Sequence, residues 1–166
     1  MGLTLFLALL GASAARAQSY DLESLMRGST RTPAPPALSR QLAADPEHRS
    51  ALARCVADPS VGLRRAEAFF AALPMPRLAP SGAAWLVVPT RRCPAYFGGH
   101  SVPFWIVERR PDGVYSELMS GAEDGLEVPG SRTLGYADLR TRYGPRGRTL
   151  YRFDGAIYQP QAAERH

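Results

Sequence analysis

The sequence has no lysine: all 20 of its basic side chains are arginine, set against 15 carboxylates for a formal charge of +5. With the alanine and proline content, this arginine-only usage looks like codon bias in a GC-rich bacterial genome. The arginines are scattered apart from the pairs Arg64-Arg65, Arg91-Arg92 and Arg109-Arg110. So mild a charge can draw anionic envelope polymers or lipid headgroups, but it fits a solvated, mixed-charge surface better than a dedicated binding patch.

Catalytic signatures are missing too. The histidines His48, His100 and His166 have no H-x-x-x-H or C-x-x-C companion, so the spacing offers no metal site. No G-x-S-x-G elbow marks a nucleophile, and Gly98-Gly99 lacks the pattern of a phosphate loop. No cofactor is expected. The one adjacent acidic pair in a turn, Glu123-Asp124, fits solvated turn chemistry better than glycoside cleavage, which needs two carboxyl groups on opposite sides of a bond. The sequence shows no internal repeat. Its longest apolar run, 3–10, falls well short of the ~20 residues that span a bilayer.

That run reads instead as the core of a secretory signal. Ala15-Arg16-Ala17 supplies an A-x-A cleavage pattern and predicts a mature start at Gln18, although the first four residues carry no Lys or Arg. A retained N-terminal anchor is the alternative. No cysteine follows the cut, so lipoprotein anchoring is not expected. Cleavage removes Arg16 and leaves 19 arginines against 15 carboxylates, a charge of +4. The expected location is the periplasm or the exterior, which argues against a nucleic-acid partner.

The mature chain divides into a flexible, proline-rich N-terminus at 18–37, a single α+β domain at 38–160 and a tail at 161–166. Pro33, Pro35 and Pro36 favour an extended linker. Helical periodicity is expected over 38–73. Asp45-Pro46 places an N-cap and an N1 proline before a helix at 47–57 that turns Leu52, Cys55 and Val56 inward. A further helix is expected at 61–73, capped by Ser60, with Phe69 and Phe70 in its core stripe.

Beyond Gly82 the pattern becomes β. Strands are expected at 84–88, 102–109, 114–119 and 126–128. The segment 135–143 reads as either helix or strand. A terminal hairpin at 149–160 turns on the two residues Asp154-Gly155. The fold class is therefore α+β, with N-terminal helices followed by a mainly antiparallel sheet built from hairpins.

Two cysteines in an exported chain make Cys55–Cys93 the expected disulfide; the rival is a reactive Cys93 activated by Arg91 and Arg92. Two loops are candidate contact surfaces, one with Phe97, His100 and Ser101, the other at 120–125 with Ser120, Glu123 and Asp124. The aromatics Tyr96, Trp105, Tyr115, Tyr136, Tyr143, Tyr151 and Tyr158 serve either cross-strand packing or ligand contact.

Phe97-Gly-Gly, Phe104-Trp-Ile-Val107, Gly135-Tyr-Ala-Asp-Leu139 and Tyr151-Arg-Phe-Asp-Gly-Ala-Ile-Tyr158 together resemble a group of small exported proteobacterial proteins of uncharacterised function. In that group a G-Y-x-D-L element precedes a terminal Y-R-F-D-G-x-x-Y hairpin. The resemblance spans about 96–159 and omits the helices. Leu134 departs from it, standing where Asn is expected before Gly-Tyr. The resemblance implies no catalytic residues.

The expected function is binding of another envelope macromolecule, an envelope protein or cell-wall polymer, most concretely as an inhibitor or immunity-type protein against a cell-wall hydrolase. The alternatives are an envelope hydrolase using His100 with Asp138 or Glu108 and the neighbouring Ser101, and a structural envelope factor.

Overall fold

The computed structural model describes residues 17–28, 30–97, 99 and 101–161. The expected signal segment up to residue 16, His100 and the tail from 162 onward lie outside the described residues.

Two antiparallel five-stranded sheets form the body. The central sheet has the order β2 (Thr32–Pro33), β3 (Phe70–Pro74), β4 (Ala84–Pro89), β5 (Val102–Arg109), β6 (Tyr115–Glu123). The outer sheet has the order β1 (Gln18–Asp21), β7 (Gly125–Val128), β10 (Leu139–Tyr143), β11 (Gly147–Phe153), β12 (Tyr158–Pro160). A small ribbon pairs β8 (Arg132–Thr133) with β9 (Tyr136–Ala137). The helices are α1 (Leu22–Arg27), α2 (Pro36–Ala44) and α3 (Pro46–Ala57), with a short 3-10 turn at Ala66–Phe69.

The central sheet is buried on both faces, which is why β4 and β5 read as continuous apolar runs. Alternate side chains go to opposite cores. Ala84, Leu86, Val88, Val102, Phe104 and Ile106 face the outer sheet and α1, whereas Val87, Trp105 and Val107 face α2 and α3. Gly121 sits opposite Phe104, and a Cβ there would lie 3.2 Å from its ring. The register of β5 against β6 shifts after Ile106, so Leu118 is an extra residue. The alternation expected to set Leu118 and Met119 on opposite faces is thereby lost, and both are buried in the same cluster.

A mixed helical and antiparallel architecture is therefore present, but the simple order of helices followed by one sheet is not. The stretch 18–37, expected as a mobile linker, carries β1, α1 and β2. Tyr20 pairs with Leu126 of β7, and Leu22 and Met26 are fully buried. The Arg31 guanidinium donates to the carbonyls of Gly28, Pro89 and Thr90, which fixes the proline segment along the sheet.

The helix expected at 61–73 does not form either. Asp58 Oδ1 accepts the amide and hydroxyl of Ser60, Gly62 adopts φ +64°, and the chain turns. Phe70 to Leu73 then pair with Pro89 to Leu86 as β3. Phe69 and Phe70 remain core residues, in edge-to-face contact at 5.4 Å. The cap at Asp45 is as expected, its carboxylate accepting the Glu47 amide at 2.8 Å.

At the C-terminus the hairpin forms with a four-residue loop rather than a two-residue turn. Asp154 N–H bonds Ile157 O, and Asp154 Oδ1 accepts the amides of Ala156 and Ile157. Those bonds hold its carboxyl below the ordinary range. The ambiguous segment before it resolves into strands β9 and β10.

The expected disulfide between Cys55 and Cys93 is present and ties α3 to the loop between β4 and β5 across 38 residues of sequence. Tyr96, three residues further on, reinforces this tie through a 2.7 Å hydrogen bond between its hydroxyl and His48 Nδ1. Replacing both cysteines with alanine is expected to lower the unfolding free energy by about 4 kcal/mol, from chain entropy across a loop of this length. Denaturant melts with and without reductant check this; an oxidised protein no more stable than the double variant would refute it.

Candidate functional site

Several residues expected at contact loops are joined at one end of the central sheet. Val102 pairs with Glu123, and Ser101 Oγ lies 3.5 Å from Asp124 Oδ1. The 120–125 stretch is not a loop, however. Strand β6 runs through Ser120 to Glu123, and Asp124 alone separates it from β7. The reason is that Asp124 is fully engaged in joining the sheets: its amide donates to Arg142 O, its carbonyl accepts Leu22 N–H, and Oδ2 accepts Gly144 N–H at 2.6 Å. Phe97 is half-buried against both cores beneath the Arg92 guanidinium, at 5.3 Å, and Arg92 is ion-paired to Glu23. His100 lies outside the described residues.

The carboxylates weighed for a hydrolase have other partners. Glu108 accepts the Ser81 hydroxyl at 2.5 Å and the Tyr136 hydroxyl at 2.8 Å, on the wall of a cleft of about 620 Å³ shared with Arg109 and Arg110. Burial and this carboxylate push the Tyr136 hydroxyl up to about 12. Ser81 Oγ also accepts the Ala83 amide, so it is held in a structural turn. Glu108 and Ser101 stand at opposite ends of β5, about 23 Å apart at the rise of a strand. Asp138 is buried and accepts the Thr133 hydroxyl at 2.7 Å. Among the described residues no group of His, Cys, Asp and Glu gathers as a metal site, and no helix is long and apolar enough to cross a membrane.

A second cleft, of about 690 Å³, lies beside β2 and β3. Its floor includes Phe70 and Ala71. Arg40 and Arg65 stand exposed on its rim, while Arg31 is committed to backbone carbonyls.

The most unusual geometry lies in the C-terminal elements. The β9 ribbon and the terminal hairpin pack as one unit: Tyr136 stacks on Phe153 with centroids 3.9 Å apart, and the buried Tyr158 hydroxyl donates to Ala137 O at 2.7 Å. Burial raises the Tyr158 hydroxyl well above its usual range. Between β8 and β9 the chain turns in two residues, Leu134 at φ 52° and Gly135 at φ 85°. Two positive φ values in a two-residue hairpin are the mark of a type I′ turn, which favours Asn-Gly or Asp-Gly.

Leu134 is the one described residue other than glycine with positive φ, and it is 67 % exposed. Its Cδ1 lies 4.0 Å from where a Cβ on Gly155 would stand, so the two hairpin tips are adjacent. Ile157, 44 % exposed, belongs to the second tip. Sequence reasoning did not select Leu134 or Ile157 as contact residues. The available signal was the leucine standing in place of asparagine before Gly-Tyr. Of the seven aromatics weighed as contacts, Tyr143 alone is exposed.

Searches of protein-family models, curated proteins and solved structures return no match to the chain.

Glu123 gives this region a pH signature. Burial, and secondarily the charge of Asp124, raise its carboxyl above the usual range against a Thr141 hydrogen bond, and Oε2 is buried without a partner. With the folded value raised, ionisation opposes folding. Stability is therefore greatest below the ordinary glutamate range and falls as pH rises through the folded value. Glu123→Gln is expected to raise the melting temperature at neutral pH and to leave it unchanged near pH ~3, below the unfolded value. A gain of equal size at both pH values would show that burial of charge is not its source.

Proposed function

We propose that this is an exported protein that binds another macromolecule of the bacterial envelope through its paired hairpin tips, without performing chemistry on it. One observation carries the reading: an exposed leucine in the left-handed region at Leu134. That conformation costs an L-residue roughly 1 to 2 kcal/mol. Folding gains nothing visible in return, because the side chain is in solvent. A residue that weakens its own turn while presenting an apolar side chain beside Gly155 of the second tip fits selection for contact.

The most concrete form of the proposal is an inhibitor or immunity-type protein directed at a cell-wall hydrolase. The rigid tips would enter the partner, and the Cys55–Cys93 disulfide would sustain the scaffold in an oxidising compartment. The relation to small exported proteobacterial proteins belongs to the same proposal.

Leu134→Asn separates folding from function. It is expected to stabilise the protein by about 1 kcal/mol, since Asn accepts positive φ. It should also reduce photocrosslinking to an envelope partner from Ile157 about tenfold, as loss of an interface anchor does. Lower stability would remove the strain argument. Undiminished crosslinking would remove the tip as the contact, and turnover of a cell-wall or ester substrate abolished by His100→Ala would replace binding with hydrolysis.

A further inference from the structure

The outer face of the outer sheet gathers arginines that look scattered in sequence. In β10, Leu139 and Thr141 point inward and are buried, which sends Arg140 and Arg142 outward. In β11, Tyr151 packs on the core and Phe153 is buried, which sends Arg148, Leu150 and Arg152 outward. The register sets Arg142 directly opposite Arg148, and Arg140 opposite Leu150. Strands lie about 4.8 Å apart and side chains on one face repeat about every 7 Å, so the four arginines share one face of the sheet, the Arg142 guanidinium lying over Gly125 of β7.

Like charges directly opposite each other weaken a sheet. Three of the four have a carboxylate within 4.0 Å. Arg140 lies 3.5 Å from Glu127, Arg142 lies 3.5 Å from Asp21, and Arg152 Nε lies 4.0 Å from the buried Asp138. Among the described residues Arg148 forms no ion pair, and the turn at the end of the hairpin adds the exposed Arg146. Tyr143, in line with Leu139 and Thr141, belongs to the opposite side of β10.

We propose that this face docks on a membrane surface bearing anionic phospholipid headgroups. Arginine forks match phosphate oxygens. A lipid plane is favoured over a linear polyanion because the arginines stand on a broad sheet face, whereas the two clefts described above are lined by other residues. The surface is distinct from the hairpin tips and does not depend on their reading.

The test is co-sedimentation of the full-length protein with vesicles of phosphatidylcholine, with and without phosphatidylglycerol. Binding is expected only with the anionic lipid and should fall with added salt. Arg148→Gln should lower partitioning about fivefold, the effect of one arginine near such a surface. Arg148→Lys should retain it, and Arg64→Gln, away from this sheet, should leave it unchanged. Leu134→Asn should bind vesicles normally, which separates this surface from the tips. Unaltered circular dichroism in each variant shows that the fold is kept. Equal binding to neutral vesicles, equal loss with Arg64→Gln, or preference for a soluble polyanion such as heparin over the anionic vesicles would overturn the proposal.

Discussion

The double burial of β4 and β5 is the constraint on which the rest of the structure depends. A sheet with apolar side chains on both faces needs two covers, and here they differ in kind. The helices α2 and α3, with the turn that follows them, cover the face of Trp105 and Val87, while the outer sheet and α1 cover the face of Phe104 and Leu86. The two covers are joined to the sheet by different means. A disulfide holds the helical layer at Cys93, and Asp124 joins the second sheet through backbone and side-chain hydrogen bonds.

Once those layers are closed, the interior explains most of the conspicuous residues. The clustered rings of Phe69, Phe70, Tyr96 and Trp105 pack against one another near His48. Glu108 and Asp138 hold hydroxyl groups in place. Two features that the interior leaves unexplained lie on the surface of the C-terminal half. Leu134 takes a backbone conformation suited to another residue, and Arg142 faces Arg148 across two strands. Each weakens the local structure, and each places a chemically distinct group in solvent: an aliphatic side chain in one case and a concentrated positive charge in the other.

Much of this fold is legible in the sequence wherever local chemistry and burial agree. Asp45-Pro46 starts α3, the run from Phe104 to Val107 marks a strand, and the two cysteines pair. The stretch 61–73 misleads because an apolar stripe of helical spacing and a strand buried on both faces share several residues, and the choice rests on pairing with β4, which lies outside the stretch. The proline-rich 18–37 segment misleads because carbonyls of Pro89 and Thr90, which receive Arg31, are invisible in its own composition. For the candidate site, the anomaly at Leu134 is visible as a departure from turn chemistry, but its nearness to the Asp154–Ile157 loop is not. The arginine face is equally hidden, since residues 140, 142, 148 and 152 align only once the hairpin register is fixed.

The treatment of the sheet margins limits how another chain can attach. A margin with free amides and carbonyls invites a foreign strand to add itself. Here β2 is two residues long and includes Pro33, which has no amide to offer, and β12 ends in Pro160. At the margin of β6, the Gln41 side chain donates to Tyr115 O at 2.6 Å and accepts Tyr115 N–H at 3.1 Å, standing in for one residue of a neighbouring strand. Extension of the sheets by a guest strand is disfavoured at these places. Any ligand met there must be recognised by protruding side chains rather than by the main chain.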